Sequence, residues 1–308
     1  MKKILSLLLT FAFVLSACSN GPVSTNPNTL KVVATFYPLA YFAQRIGGEQ
    51  VEVTNLTPTG GEPHNFEPSP RQIVAVTEAD VALYMGLGFE PWMEDLKIEL
   101  AAKEVIAVEV NSRLPVVQFS DEEGAAEESD AYDPHTWLDP LLAQEMVTMI
   151  LQAFIKADPE SEAVYTANAK ILLEELQALH ESYQTDLASC DNKTILVSHE
   201  AFHYFAKRYG IETVSVSGIS PEDEPSANRL TQLADFAKEN ESKYIFFETL
   251  ANPDVAQTLA DEADLTPLTF NPVEGLTVEE AQNGGNYFTL MQSNLANLKL
   301  AMACQQAL

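Results

Sequence analysis

The sequence predicts an α/β protein with two similar lobes, each built on a four-stranded, mainly parallel sheet with flanking helices, joined by one long backbone helix. Three observations support this fold. Short β-branched and aromatic runs alternate with segments of helical pattern, which is typical of parallel sheets covered on both faces. Four such runs precede a long helical segment and four follow it. At about 28 residues that segment would span roughly 40 Å, enough to connect two lobes.

The N-terminal lobe is assigned to residues 30–157. Its strands are β-branched, and its first helix is expected to end at the pair Gly47-Gly48, since glycine interrupts helices. The strands are predicted at 31–36, 51–56, 81–85 and 105–110, and the helices at 37–46 and 71–77.

The linking helix is assigned to residues 158–188, because Asp158 is a favourable N-cap and Pro159 a favourable first helical residue. The C-terminal lobe then covers residues 189–308, where strands and helices alternate again. Its strands are predicted at 193–197, 213–216, 244–247 and 265–270, and its helices at 201–209, 227–240, 254–263 and 286–304.

The first 17 residues have the pattern of a signal peptide, with Lys2 and Lys3 before an apolar run that is too short to span a membrane. The LSAC run ending at Cys18 resembles a bacterial lipobox, which predicts lipidation of Cys18 and a tether over 18–29. We therefore expect an exported protein that meets the membrane only through its lipid anchor. It would lie at the outer face of the cytoplasmic membrane, or in the periplasm of a Gram-negative host.

The composition is strongly acidic. The 308 residues include 17 Lys and Arg against 45 Asp and Glu, so the formal net charge is −28. This charge would repel a phosphate backbone and excludes a general nucleic-acid binder. It does not distinguish an acidic enzyme from a cation-binding protein.

Two cysteines remain beyond the predicted lipobox, Cys190 and Cys304. In an oxidising compartment a disulfide between them would connect the last helix to the middle of the chain. Two buried free thiols are the alternative.

Three of the five histidines lie in loops next to predicted strands or helix starts. His64 and His135 are framed by prolines, and His199 directly follows a buried strand. In open α/β sheets ligands bind at this edge, and imidazole is a favoured ligand of Zn²⁺. These three histidines are therefore predicted to bind one metal ion.

A competing motif overlaps His199. The residues from His199 to His203 read H-E-x-x-H, the pattern of zinc metalloproteases. The context is unfavourable, because His199 follows a strand at once and the next helix turns supply no third ligand. His203 is then either a neighbour of the metal ligands or a histidine on the helix surface.

Three motifs resemble those of the zinc- and manganese-binding lipoproteins of bacterial metal ABC importers (the cluster A-I solute-binding proteins), here of the zinc type. They read G-x-E-P-H-x-F-E-P-x-P, D-P-H-x-W-L-D-P and S-H-x-A-F-x-Y-F-x-x-x-Y-G, and the resemblance covers residues 31–304. It implies one metal ion between two lobes, with His64 and His135 from the first and His199 from the second. The implied partners are an ABC permease and its cytoplasmic ATPase, and the implied state is a monomer.

The fourth ligand is assigned to Glu274 by the same resemblance. Asn271 occupies the position where many manganese-binding relatives have an aspartate, and an amide is a poor ligand. Water and Glu62 remain alternatives. Glu62, His203, Trp137 and Asn271 are expected close to the ligands. Three imidazoles and one carboxylate favour Zn²⁺ over Mn²⁺, which prefers oxygen ligands.

The predicted function is capture of Zn²⁺ as a transported ion, without catalysis. The alternatives are a manganese- or iron-binding importer component, a zinc-dependent hydrolase based on the H-E-x-x-H motif, and an adhesin. The acidic loop at residues 120–133 lies where zinc-binding relatives often carry a histidine-rich loop. It is either a solvated linker or a segment that weakly concentrates Zn²⁺ near the cleft.

Overall fold

The structure, a computed structural model, describes residues 29–118, 132–223 and 225–304. Within them lie two four-stranded sheets in which every strand pair is parallel. When the strands of each sheet are numbered along the chain, both sheets have the order 2-1-3-4, so they have the same topology. The predicted fold class is confirmed. Cys18 lies outside the described residues, as does the acidic loop apart from its last two residues.

The first sheet and its helices follow the predicted alternation, with two additional helices. The strands are β1 (Leu30–Ala34), β2 (Val51–Asn55), β3 (Val81–Tyr84) and β4 (Ile106–Glu109). The helices are α1 (Tyr37–Gly47), α2 (Pro70–Thr77), α3 (Pro91–Ala102) and α4 (Pro140–Ala157). The sequence interpretation missed α3 and α4. Helix α4 begins where the side chain of Asp139 accepts a hydrogen bond from Leu141 N, with Pro140 as the first helical residue.

Helix α5 (Glu162–Leu187) is the long connection between the sheets, and a short 3₁₀ turn at Pro159–Ser161 precedes it. Its 26 residues give a length of about 39 Å. One face is buried against α1, α4 and α10 (Tyr287–Ala301), the last helix of the described residues. The residues of that face recur at helical spacing: Tyr165, Ala169, Leu172, Leu176, Leu179, Tyr183 and Leu187.

The second sheet contains β5 (Thr194–Val197), β6 (Glu212–Ser215), β7 (Tyr244–Phe247) and β8 (Thr266–Thr269). Its helices are α6 (His203–Tyr209), α7 (Ala227–Glu239), α8 (Asp254–Ala263), α9 (Val278–Gln282) and α10 (Tyr287–Ala301). Helix α6 begins two residues after the predicted start, and α9 was not predicted. A disulfide joins Cys190, just after α5, to Cys304, just after α10.

The main hydrophobic cluster continues through both lobes. It includes Phe36 and Trp137 beside the first sheet, Phe205 and Phe270 beside the second, and Tyr183 of α5 between them. No helix in the described part of the chain is long and apolar enough to cross a membrane. The residue limits assigned above to the signal peptide, tether, linking helix and lobes remain predictions.

Candidate metal centre

The three predicted histidines and Glu274 meet between the two sheets. His64 lies in the loop after β2, His135 in the loop after β4, His199 two residues after β5, and Glu274 in the loop after β8. All four positions follow the carboxyl ends of parallel strands, where open α/β sheets place their ligands. Each lobe therefore provides two of the four side chains.

The distances within this cluster fit one small cation. Neighbouring Nε2 atoms are 3.3 Å apart for His64 and His135 and 3.4 Å apart for His135 and His199. The Oε1 atom of Glu274 lies 3.2, 3.4 and 3.7 Å from the Nε2 atoms of His64, His135 and His199. Zinc bonds near 2.0–2.1 Å in a tetrahedron place ligand atoms about 3.3 Å apart. The four groups thus approximate the corners of such a site.

The cluster is nearly closed to solvent. The side chains of His135 and His199 are fully buried and that of Glu274 is 2 % exposed, whereas that of His64 is 8 % exposed. Phe89 packs edge-on against the His64 ring, and Trp137 contacts the His135 ring. An ion would therefore be enclosed by apolar rings, with His64 nearest the solvent.

A buried carboxylate orients each of the two enclosed histidines. Oδ1 of Asp133 lies 2.8 Å from His135 Nδ1 and also accepts from His135 N. Oε1 of Glu248 lies 2.5 Å from His199 Nδ1, and the same oxygen accepts from the Ser198 hydroxyl. Such partners direct the remaining ring nitrogen toward a metal and increase its basicity.

These carboxylates also determine where protons reside. Burial lowers the pKa of His199, but Glu248 and Glu274 outweigh burial and raise it to about 10. Burial also lowers the pKa of His135, but the opposing effects are larger, so the pKa is raised overall. The largest of the raising effects is the hydrogen bond to Asp133. Burial lowers the pKa of His64. Without a bound ion, the His199 ring therefore holds its extra proton at neutral pH.

Glu274 is held as a carboxylate by the same histidines. Burial alone would raise its pKa, but the three imidazoles outweigh burial and place its pKa well below the usual range. It therefore presents an anionic oxygen to an arriving cation at neutral pH.

The other predicted neighbours have different positions. Glu62 lies next to the cluster, where its carboxylate accepts from His64 N, and burial followed by the charge of Glu274 raises its pKa to about 8. Trp137 donates its indole N–H to the Pro272 carbonyl at 2.7 Å. Asn271 is buried, and its side chain bonds to neighbouring protein groups. His203 is the first residue of α6 and is not a member of the four-residue cluster.

The H-E-x-x-H motif does not have the geometry of a metalloprotease. His199 lies in a turn before α6, and the helix begins only at His203, so the two histidines are not successive ligands on one helix. The side chain of Glu200 lies 3.3 Å from the Thr213 hydroxyl rather than in the metal cluster.

Sequence reasoning missed Asp133 and Glu248. The sequence places Asp133 at the end of the acidic loop 120–133, but in the structure it is fully buried and bonded to His135. Its position two residues before His135 is a signal that could have identified it, because an aspartate readily bonds a backbone N–H two residues on. Glu248 directly follows β7, at the sheet edge already occupied by His199.

Comparison with known proteins identifies the family. Residues 32–301 match the family model described as ZnuA, the periplasmic component A of a zinc-uptake complex. The chain belongs to the ZnuA family. It is 35% identical over 296 residues to the high-affinity zinc uptake system protein ZnuA of Bacillus subtilis, covering 93% of each chain.

Further relatives of this ZnuA-family chain are streptococcal. The zinc-binding lipoprotein AdcA of Streptococcus pneumoniae is 35% identical over 306 residues, and the match spans 97% of this chain but 61% of AdcA. The Zn(II)-bound ZnuA-like domain of AdcA superposes with a TM-score of 0.77 and 33% identity, covering 89% of this chain and 99% of the domain. The laminin-binding protein Lmb of Streptococcus agalactiae is described as having adhesin and metal transporting activity. It superposes with a TM-score of 0.78 and 32% identity, covering 89% of this chain and 99% of Lmb. The predicted family is confirmed.

Proposed function

We propose that this protein captures Zn²⁺ outside the cytoplasm and delivers it to the permease of an ABC importer driven by a cytoplasmic ATPase. The observation that carries the proposal is the cluster of His64, His135, His199 and Glu274, whose spacing fits a tetrahedral zinc ion. The protein is proposed to act as a monomer, since each lobe of one chain provides two ligands. Zinc is its cargo and not a resident cofactor.

Zinc is favoured over manganese by the chemistry of the ligands. Three imidazole nitrogens and one carboxylate suit Zn²⁺, whereas Mn²⁺ prefers sites with more oxygen atoms. Glu274 is proposed as the fourth ligand instead of Glu62, because its oxygen approaches all three histidines while Glu62 is engaged with His64 N.

The closed ligand set supports capture without catalysis. Catalytic zinc sites keep one coordination position for water or substrate, whereas closed sites use four protein ligands. Here three buried side chains and that of His64, which lies nearest the solvent, would complete the tetrahedron. The family relationship to zinc-uptake components supports the same conclusion.

The direct test is a competitive titration of metal-free protein with Zn²⁺ and Mn²⁺ against a chromogenic chelator. We expect tight, one-to-one zinc binding, weaker manganese binding, and a severe loss of zinc affinity in His199→Ala. His180→Ala is the matched control, since His180 lies on α5 and bonds to Tyr209 outside the cluster. Equal zinc affinity of the wild type and His199→Ala would refute the proposed site.

Membrane attachment is proposed through lipidated Cys18, as the names of the lipoprotein relatives suggest. The test expresses the full chain and Cys18→Ala in a bacterial host and follows the protein by membrane fractionation. Lipidation predicts that the wild type remains with the membrane and that the variant is released. Identical fractionation would contradict the anchor.

A further inference from the structure

The residue before Glu274 has a backbone conformation that its side chain disfavours. Val273 has φ = +58° and is fully buried. β-Branched residues rarely adopt this left-handed region, so the surrounding structure must hold the backbone there. The conformation of Val273 decides the direction in which the chain continues into Glu274. Any group that holds Val273 thereby also positions the Glu274 carboxylate.

Hydrogen bonds fix the three residues that precede Glu274. Oδ1 of Asn271 accepts from Val273 N at 2.7 Å, which closes a tight turn around Pro272. The Asn294 side chain accepts from Asn271 N at 2.8 Å and donates to Asn271 O at 2.7 Å. The Trp137 indole donates to the Pro272 carbonyl. Of these bonds, the one that Asn271 Oδ1 accepts from Val273 N acts directly on the strained residue.

The other end of the Asn271 side chain requires a donor. Its Nδ2 donates to Thr249 Oγ1 at 2.9 Å and to Glu280 Oε1 at 3.2 Å. Glu280 is anchored, because its second oxygen accepts from Thr277 N at 2.7 Å. Position 271 therefore needs an acceptor toward Val273 and a donor toward Glu280, a combination that an amide supplies and an ionised carboxylate does not.

We infer that Asn271 is a positioning residue that holds Val273 in the left-handed conformation and so aims Glu274 at the captured ion. The inference rests on the proposed zinc-binding function and assigns to that site a contributor that touches no metal. It also implies that an aspartate at position 271 would face the Glu280 carboxylate and disturb the turn, rather than add an oxygen ligand for manganese.

The first test is a double-mutant cycle on Asn271 and Glu280. Asn271→Asp places two carboxylates side by side, and Glu280→Gln leaves two amide donors facing each other. Each single change is expected to weaken zinc binding measurably, up to the roughly 10- to 100-fold loss typical when a direct hydrogen-bond partner of a metal ligand is altered. The combined variant restores an acceptor opposite a donor, so most of the lost affinity should return.

The second test addresses the backbone of Val273. In an Asn271→Ala background, Val273→Gly should recover zinc affinity, because glycine adopts positive φ without steric cost. Val273→Ala is the matched control, since it removes most of the same side chain but retains a Cβ. It should not recover affinity. The intensity of the Co²⁺ d–d absorption bands reports whether tetrahedral coordination returns, and urea unfolding confirms that each variant is folded.

The outcomes separate this inference from the proposed function. If the wild type does not bind zinc, the proposed zinc-binding function is refuted, whatever the variants do. If the wild type binds zinc and Asn271→Asp binds it equally well, the positioning role is refuted. It is also refuted if the single variants lose affinity and the Asn271→Asp, Glu280→Gln pair does not regain it. Should Asn271→Ala fail to fold, that charge-matched pair decides the question.

Discussion

Zinc affinity is expected to increase steeply with pH, because a proton and the metal compete for the His199 ring. Burial opposes charge on His199, but Glu248 and Glu274 raise its pKa to about 10 in the absence of metal. The ring must lose a proton before Nε2 can bind zinc. The His199 ring keeps its proton at pH values below this raised pKa, so zinc binding should weaken as the pH falls.

The size of the effect follows from the pKa of His199. A pH of 7 is about three units below this pKa, so only about one ring in 1000 has lost the competing proton. Zinc affinity at pH 7 is therefore lowered roughly 1000-fold, or by about 4 kcal/mol at 1.36 kcal/mol per unit. The association constant should therefore rise about tenfold per pH unit, or about 100-fold between pH 7 and 9. The raised pKa of His135 acts in the same direction, whereas the lowered pKa of His64 reduces the competition from protons at that ring.

The assay combines chelator competition from pH 6 to 9 with calorimetry in two buffers of different ionisation enthalpy, which counts the protons released. Glu248→Gln removes a carboxylate that raises the pKa of His199, so it should flatten the slope and reduce proton release. Glu239→Gln on the exposed face of α7 is the matched control and should behave as the wild type. A wild-type affinity that is flat from pH 7 to 9, with no buffer-dependent heat, would refute the reasoning.

Three further predictions concern stability of the metal-free protein. Cys190→Ser with Cys304→Ser should lower the free energy of unfolding in urea by about 4–5 kcal/mol, because the disulfide closes a loop with a sequence separation of 114; an unchanged midpoint would contradict this. Arg208→Met should lower the free energy of unfolding by about 3 kcal/mol, since it leaves the buried Asp139 carboxylate without its charged partner. Lys207→Met on the exposed face of α6 is the control. Burial raises the pKa of Glu90 from 4.5 to about 7, so the folded state holds this proton more tightly than the unfolded state. The free energy of unfolding should therefore fall by about 3 kcal/mol from pH 4.5 to 7. Glu90→Gln should remove that decrease.

The sequence predicted the sheets well because their central strands, β1, β3, β5 and β7, are short, apolar and largely buried. It failed for α3 and α4 for different reasons. Helix α3 has exposed residues on most of its surface, and even Ile98 is 85 % exposed, so it lacks a clear apolar stripe. Helix α4 carries the same Asp-Pro start signal as the predicted linking helix, at Asp139 and Pro140. Because Asp139 and Pro140 also belong to the D-P-H-x-W-L-D-P motif, the sequence interpretation assigns them to the histidine loop.

Local patterns also explain which site residues were predictable. His64, His135 and His199 are rare residues in rigid loops after strands, and these features are visible in sequence. Glu248 is one of 45 acidic residues, and only the pairing of β7 with β5 brings it to His199. A contact that depends on strand order across 49 positions has no local signature.

The affinity of this centre is thus expected to depend on protons more than on rearrangement. Asp133 and Glu248 orient two imidazoles, and the turn at Asn271 orients Glu274, so bonds within the protein hold the four side chains at spacings that suit a tetrahedral ion. Preorganisation of this kind reduces the ordering cost of binding. The same carboxylates that orient the rings also raise the pKa values of His135 and His199. One set of buried acids therefore both shapes the site and makes its zinc affinity sensitive to pH, a coupling that the net charge of −28 does not reveal.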